Sequence, residues 1–460
     1  MAVLSGPVTA GEKGVPFGRP NLDFSGLGYR EEEYFLEGIA TKYRPRAGSE
    51  LGQDGRWDVE PAGAAPYRTR YVVYRPADDS AFNGTVLVSW NNVSAGFDSY
   101  TVDSAEILES GYAYVAVTAQ RAGVHGMGEQ PMGLIQTDPE RYSTLSILSD
   151  DYSFDIFTQA ARTVSTERSR SPIDALDGLD VRHLVAFGGS QSASRLGAYI
   201  NAVQPIEGPF DAFLPYLYFG GGSPLEVENQ VFNPGAEGME RPSLPMIRCR
   251  IRDDLDILVM VVNSEVEAIS CYPVRQPDTE RYRCWEAAGT AHVSLQSMQN
   301  RAAEMGQDQG VALVAALKGI NEVPLNPVLE SAYRHLQEWL ETGKAPPTQP
   351  FIEFGGDPPD VVRDEHGIAR GGIRLPQVEV PLATNSAIPA PNNPLGFLGG
   401  SCIPFAPEKV IALYGGAEEY LAQFKQAARA AHEAGVILDR DIEPLVREAE
   451  SAFDRAIGGA

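Results

Sequence analysis

Apolar residues in this chain come in short continuous runs separated by polar and glycine-rich stretches. Thr85 to Trp90 (TVLVSW), Tyr112 to Thr118 (YAYVAVT), Leu184 to Phe187 (LVAF), Phe213 to Tyr218 and Asp256 to Val262 (DILVMVV) read as strands, and Arg281 to Glu286 as one more. Tyr67 to Tyr74 (YRTRYVVY) alternates and closes at Pro76, and Tyr34 to Tyr43 is a β-type run after an irregular lead-in. Residues 101–110 and 153–167 carry helical spacing, the latter with Phe154, Phe157 and Ala161 on one face, while 119–150 read as a long loop region. Strands alternating with helices in this way predict an α/β fold, a mostly parallel central sheet with helices on both faces. The last third differs. Residues 305–345 look helical, 346–405 are rich in Pro and Gly with little periodicity, and 407–457 return to helix. The expected organisation is one domain over 1–460, with a lead-in at 1–66, a core at 67–300 and an extension at 301–460 packed on that core and partly over its site.

Composition narrows the partners. The 460 residues are 43% hydrophobic and 22% charged, enough for a large core. A net charge of −25 argues against nucleic acid or an anionic membrane surface, both polyanions. No apolar run approaches the ~18 residues of a membrane-spanning helix. The N-terminus lacks a basic start followed by an apolar core, so a cytoplasmic location is expected. Four separated cysteines, Cys249, Cys271, Cys284 and Cys402, form no CxxC pair and read as buried thiols.

The candidate chemistry centres on residues 183–200, HLVAFGGSQSASRLGAYI. An apolar strand, two glycines, Ser-Gln-Ser and then a helical run with Leu196 and Ile200 on one face make a tight strand–turn–helix. Such an elbow strains its serine and lifts Oγ clear of the sheet, and it needs small residues two positions to either side. With Ser190 as nucleophile those positions are Gly188 and Ser192. With Ser192 they would be Ser190 and Ser194, and the strand would have to continue through Gly188, Gly189 and Ser190, poor strand formers. Ser190 is therefore preferred, with the strand ending at Phe187. A glycine- and serine-rich turn without chemistry is the plain alternative.

A serine hydroxyl needs a base and a group that orients it. His292, in the loop after the strand ending near Glu286, is where this architecture places a base. His125, in a glycine-rich loop, reads as a surface residue or a substrate contact. His183, His335, His366 and His432 read as structural. The acid should follow DILVMVV, in Asn263-Ser264-Glu265-Val266-Glu267-Ala268-Ile269. A Gly-x-x-Asp-x-x-apolar turn maps Ser264 onto the glycine, Glu267 onto the acid and Ile269 near the apolar anchor. Glu267 is preferred and Glu265 is the alternative. An oxyanion hole would use the backbone N–H of Gln191 and a donor from the loop after TVLVSW, at Asn92 and Val93. GGGS at 220–223 lacks the lysine of a phosphate loop, Asp253-Asp254 reads as a solvated turn and Asp150-Asp151 as helix capping. No zinc-type spacing is visible, and neither a metal nor a cofactor is expected.

GGSQSA, with NVSAG, GYAYVAVTAQR, DPERYSTLSILSDDYSFDIFTQA, PVRQPDTERYRCWEAAGTAH and GGIRLPQVEVPLA, resembles the alpha/beta-hydrolase-domain family whose elbow reads G-x-S-Q-S-[GA]. The resemblance covers nearly the whole chain. It implies one α/β-hydrolase fold with a family-specific extension, and a serine hydrolase acting on carboxylic esters or lactones. It supports Ser190, His292 and a carboxylate in Ser264 to Glu267. The sequence departs in having Ala193 and Ser194 after Ser192, and glutamate where aspartate is usual. The expected partner is a small-molecule ester or lactone; a homo-oligomer is compatible with the sequence. The rivals are an acyltransferase or lactone-forming enzyme on the same fold, and a non-catalytic binding protein on a retired hydrolase fold.

Overall fold

A computed structural model describes residues 2–100, 104–129, 131–170, 172–226, 246–304, 317, 319–391, 393 and 395–458. The chain divides into two compact units, Met1–Met260 with Val274–Gln276, and Val261–Pro273 with Pro277–Ala460.

The first unit is built on a sheet. Its strands are β1 (Val3–Ser5), β2 (Tyr29–Pro45), β3 (Val59–Pro76), β4 (Thr85–Trp90), β5 (Ala113–Val117), β6 (His183–Gly189) and β7 (Ala212–Tyr216), in the order β1-β2-β3-β5-β4-β6-β7. The apolar runs become the parallel part, β5-β4-β6-β7, with Val86 to Trp90 paired to Ala113 to Val117 and Thr85 to Ser89 to His183 to Phe187. The β2–β3 pair is a long antiparallel ribbon, in register from Tyr29↔Pro76 to Pro45↔Val59 with a bulge at Lys42/Tyr43, so both strands extend well beyond the runs visible in the sequence. Main-chain pairing carries them past the point where side-chain alternation fades. From β4 the chain passes to β5 on one side, and from β6 to β7 on the other. The adjacent ends of β4 and β6 therefore form a topological switch point, where open α/β sheets bind ligands.

The 119–150 stretch is not simply loop. It contains short helices at Arg121–His125, Leu134–Thr137 and Pro139–Tyr142, the last opened by Pro139 with Asp138 as its cap. The helix Ser153–Arg162 packs aromatic residues under the sheet: Trp90 lies 5.6 Å from Phe154 and 4.7 Å from Phe157, which stacks on Phe210 at 5.3 Å.

A fully buried charge cluster ties the lead-in to this sheet. Arg70 bonds Glu33 at 2.9 Å and Asp98 at 2.8 Å, Arg141 bonds the other oxygen of Glu33, and Tyr142 OH donates to Glu33 at 2.9 Å. Arg70 also donates to the Phe17 carbonyl and Arg141 to that of Val8. Buried charges are costly unless paired, and here each guanidinium is matched.

Strand β8 (Leu258–Ser264) leaves the first unit after Met260, where its Leu258 N–H donates to the Asp211 carbonyl at 3.0 Å. It starts and ends two residues later than its apolar run, so Asn263 and Ser264 lie inside the strand. In the second unit its end neighbours β9 (Tyr282–Ala287). A small core of Ala268, Ala288, Ile352, Val361 and Ala369 joins the ends of these elements to the Pro/Gly-rich segment. That segment contains two small antiparallel pairs, Phe354–Gly355 with Asp360–Val361 and Ala383–Ser386 with Ser401–Pro404. Helices Asn326–Thr342, Pro407–Tyr414, Ala417–Glu433 and Asp439–Gly458 complete the unit, with Tyr420 stacked on Phe453. Of the helical stretch expected at 305–345, residues 305–316 lie outside the described residues, as do 101–103 of the one at 101–110. Among the described residues no helix is long and apolar enough to cross a membrane.

Candidate active site

Strand β6 runs two residues beyond Phe187, because Gly188 and Gly189 pair with Pro215 and Tyr216 of β7. Backbone pairing outweighs the weak strand propensity of glycine here. The chain then turns at Ser190, with φ 60° and ψ −117°. A non-glycine residue in such a conformation costs about 1–3 kcal/mol and persists only where its surroundings enforce it. The enforcement is visible. Ser190 N–H donates to the Tyr216 carbonyl at 2.8 Å, and the helix Gln191–Ala198 begins at the next residue. A Cβ on Gly188 would sit 3.0 Å from the Ser192 carbonyl oxygen and 3.1 Å from Leu196 Cδ1, so a side chain there would press on the helix where strand and helix nearly touch. Ser190 is half-buried, whereas Ser192 is fully buried and its Oγ has no hydrogen-bond partner among the described residues.

The loop leaving β4 is closed by a two-way bridge: Asn92 N–H donates to the Ser99 carbonyl at 2.8 Å and Ser99 N–H to the Asn92 carbonyl at 2.9 Å. The Asn92 side chain donates to the Gly189 carbonyl at 3.0 Å, joining this loop to the residue before Ser190. The bridge consumes the Asn92 N–H, which sequence reasoning had offered as a donor, and leaves that of Val93 outside it. Behind the loop, Asn91 donates to Asp98 at 2.9 Å, so the loop is tied to the buried charge cluster.

Gln191 is anchored by its side chain, which donates to Gln120 at 2.9 Å; the same Gln120 oxygen accepts from Trp90 Nε1 at 3.1 Å. Gln120 in turn donates to Asp150 at 2.9 Å, which also accepts from the Arg121 N–H at 2.7 Å and from Arg195 at 3.1 Å. Asp150 is thus a hub beneath the elbow and not the capping group expected of it; Ser149 caps that turn, accepting from Asp151 N–H. His125 accepts the Ile147 N–H through Nε2 at 3.2 Å. Burial and then Arg121 hold its pKa below the ordinary histidine value.

The second unit holds Glu267 and His292. Ser264 caps the helix Glu265–Cys271, and Glu267 closes a capping box by accepting from Ser264 N–H at 3.2 Å and from Ser264 Oγ on Oε2. The other oxygen, Oε1, lies 2.7 Å from His292 Nδ1. A carboxylate oxygen accepts, so Nδ1 carries a proton, and in the neutral imidazole the lone pair is then on Nε2. Glu265, the competing carboxylate, points elsewhere: it is fully buried and pairs with Arg363 at 2.8 Å. Ile269, expected near an apolar anchor, is 43% exposed; the buried positions of this turn are Val266 and Ala268. The structure therefore brings Glu267 to His292 in one unit, and Asn92 to the turn of Ser190 and Gln191 in the other.

The remaining candidates serve packing or solvation. Asp253 pairs with Arg56 and Asp254 with Arg252, and Gly221–Gly222 form a short strand pair with Ile247–Arg248. His335 and His432 bond the carbonyls of Gly435 and Ile437. All four cysteines are buried and none forms a disulfide; burial raises the Cys249 thiol to about 11. Among the described residues no group of three or more His, Cys, Asp or Glu could hold a metal ion. Sequence reasoning missed Gln120, Asp150 and Arg363. Gln120 lies just past the carboxyl end of β5 in VAVTAQR, after Thr118 and Ala119, a position that signals proximity to a site; Arg363 sits in a charged loop with no local mark.

The model of a family described as alpha/beta hydrolase domain matches residues 4–447. No curated protein matches the chain. Among solved structures, a putative acetyl xylan esterase from Bacteroides fragilis is 13% identical, with 62% of this chain and 69% of that one covered and a TM-score of 0.28. The esterase Est22 is 12% identical over 64% of this chain and 83% of its own, with a TM-score of 0.34. A glucuronoyl esterase from Solibacter usitatus is 11% identical over 62% and 82%, with a TM-score of 0.29. Each of these likenesses is faint in sequence and partial in extent.

Proposed function

Since the chain belongs to the alpha/beta hydrolase domain family, we propose that it is a serine hydrolase that cleaves a carboxylic ester or lactone through Ser190, His292 and Glu267. The observation that carries the reading is the backbone of Ser190, a strained non-glycine residue at the junction of a parallel strand and a helix. The Glu267–His292 hydrogen bond supports it by setting the tautomer a general base needs.

In this mechanism Ser190 Oγ attacks the carbonyl carbon while His292 Nε2 takes its proton. Glu267 stabilises the resulting imidazolium through Nδ1–H. The tetrahedral oxyanion is bound by the N–H groups of Gln191 and Val93, with Asn92 holding the loop in place. Each such donor contributes roughly 3 kcal/mol to transition-state stabilisation. Collapse expels the alcohol oxygen, which takes the proton from His292 and leaves an acyl group on Ser190. Water, deprotonated by His292, then attacks the acyl carbon; the bond to Ser190 Oγ breaks, Oγ takes the proton back from His292, and the acid is released. No step calls on a cofactor.

Fluorophosphonate labelling followed by peptide mapping tests the nucleophile, and a panel of esters and lactones read by product mass tests the reaction. A single adduct on Ser190 and release of free acid are expected. An unlabelled protein would leave only a binding role. Transfer of the acyl group to an added alcohol in preference to water would make it an acyltransferase.

A further inference from the structure

The loop that carries His292 begins at Ala288 and has no regular structure of its own, so its backbone groups need partners from elsewhere. Ala288 N–H donates to the Ile373 carbonyl at 2.9 Å. Gly289 N–H turns to the helix that carries Glu267, donating to Glu265 Oε2 at 2.9 Å. The Gly289 carbonyl accepts from Asn321 Nδ2 at 2.8 Å. The other oxygen of Glu265 accepts from Arg363 Nη2 at 2.8 Å and from the Ala387 N–H at 3.3 Å. Glu265 thus stands on the same first helical turn as Glu267, grips the loop of His292 with one oxygen and is gripped by the Pro/Gly-rich segment through the other. One carboxylate sets the spacing between acid turn and histidine loop. Left without Arg363 it would be a buried, poorly compensated charge and would relax toward water.

We infer that Glu265 and Arg363 are positioning residues for His292, and that the segment beyond residue 346 serves the reaction by holding the base in register with Glu267. The inference rests on the reading of Glu267 and His292 as acid and base. Reacting groups tolerate little misplacement, and an error of about 1 Å can cost about a hundredfold in rate.

The test compares Arg363→Gln and Arg363→Lys in the full chain, with turnover divided by the number of sites titrated to completion with a fluorophosphonate. Arg363→Gln should lower kcat per titrated site about tenfold to a hundredfold, with KM within about twofold. Arg363→Lys should recover part of the loss, because an ammonium restores the charge but not the planar fork. A fall in titratable sites with kcat per site unchanged would mean a merely structural role and would overturn the inference. Should Arg363→Gln give no folded protein, Arg363→Lys carries the test alone, and a wild-type kcat per site in it overturns the inference. His292→Ala separates the two claims. If it abolishes turnover while Arg363→Gln changes nothing per site, only the positioning role fails. If His292→Ala remains active, the base assignment fails and the positioning role falls with it.

Discussion

In the first unit, Ser190 and the residues that force its turn lie mostly within Leu184 to Leu196, and a paired neighbour strand supplies the rest. In the second unit, the partners lie far along the chain: Asn321 bonds Gly289 and Leu398 accepts the Val293 N–H in the loop of His292, while Arg363 and Ala387 bond Glu265 on the helix of Glu267. The elbow is a device of local sterics: a strand, two glycines and a helix leave the serine nowhere else to go. The setting of Glu267 and His292 is a device of long-range burial, in which charged and main-chain groups find partners across about a hundred residues of chain. Local devices are announced by spacing. Long-range ones are recognisable only once the partners meet.

The largest expected effects fall on the two halves equally. Ser190→Ala and His292→Ala should each lower kcat/KM for an ester by on the order of 10⁴-fold or more with circular dichroism unchanged. Retention of about a tenth of the activity in either would break the role proposed for that residue. Within the first half, the phosphonate adduct should lie on Ser190; an adduct on Ser192 that persists in Ser190→Ala would move the elbow by two residues.

Glu267→Gln should come next, with a loss in kcat of roughly 10²–10⁴-fold, since glutamine can accept from Nδ1 but cannot stabilise an imidazolium. Glu265→Gln should lose less, because its amide oxygen can still accept from Gly289. The reverse ranking at equal melting temperature would exchange their roles.

Glu33→Gln sharpens the comparison from the stability side. It takes the carboxylate from Arg141 and leaves Arg70 with Asp98, and should cost about 3–5 kcal/mol in urea denaturation. A cost under about 1 kcal/mol would mean that the cluster is reached by water. Smallest is Gly188→Val, whose added carbons meet the Ser192 carbonyl and Leu196. It should cost about 1–3 kcal/mol and slow fluorophosphonate labelling. Unchanged labelling would show that the elbow does not depend on the close approach of strand and helix.

Much of this was legible in the sequence. The strand Thr85–Trp90 matches its apolar run end to end, and the strand–turn–helix around Ser190 was visible before any contact was known. Apolar runs, glycine pairs and helical spacing act within a few residues, so a window of the chain contains their whole cause. Tertiary structure decided the rest. Glu265 and Glu267 are two residues apart on one helical turn, about 200° around its axis, and either could have faced the histidine. The choice was made by burial. A carboxylate deep in the second unit needs a cation, and Arg363, 98 residues along the chain, meets Glu265 and leaves Glu267 to His292. Asp150 shows the same limit: its place before a helix suggested a cap, but the side chains that claim it come from Gln120 and Arg195. Propensity is a property of neighbours in sequence, whereas the pairing of a buried charge is settled only by neighbours in space.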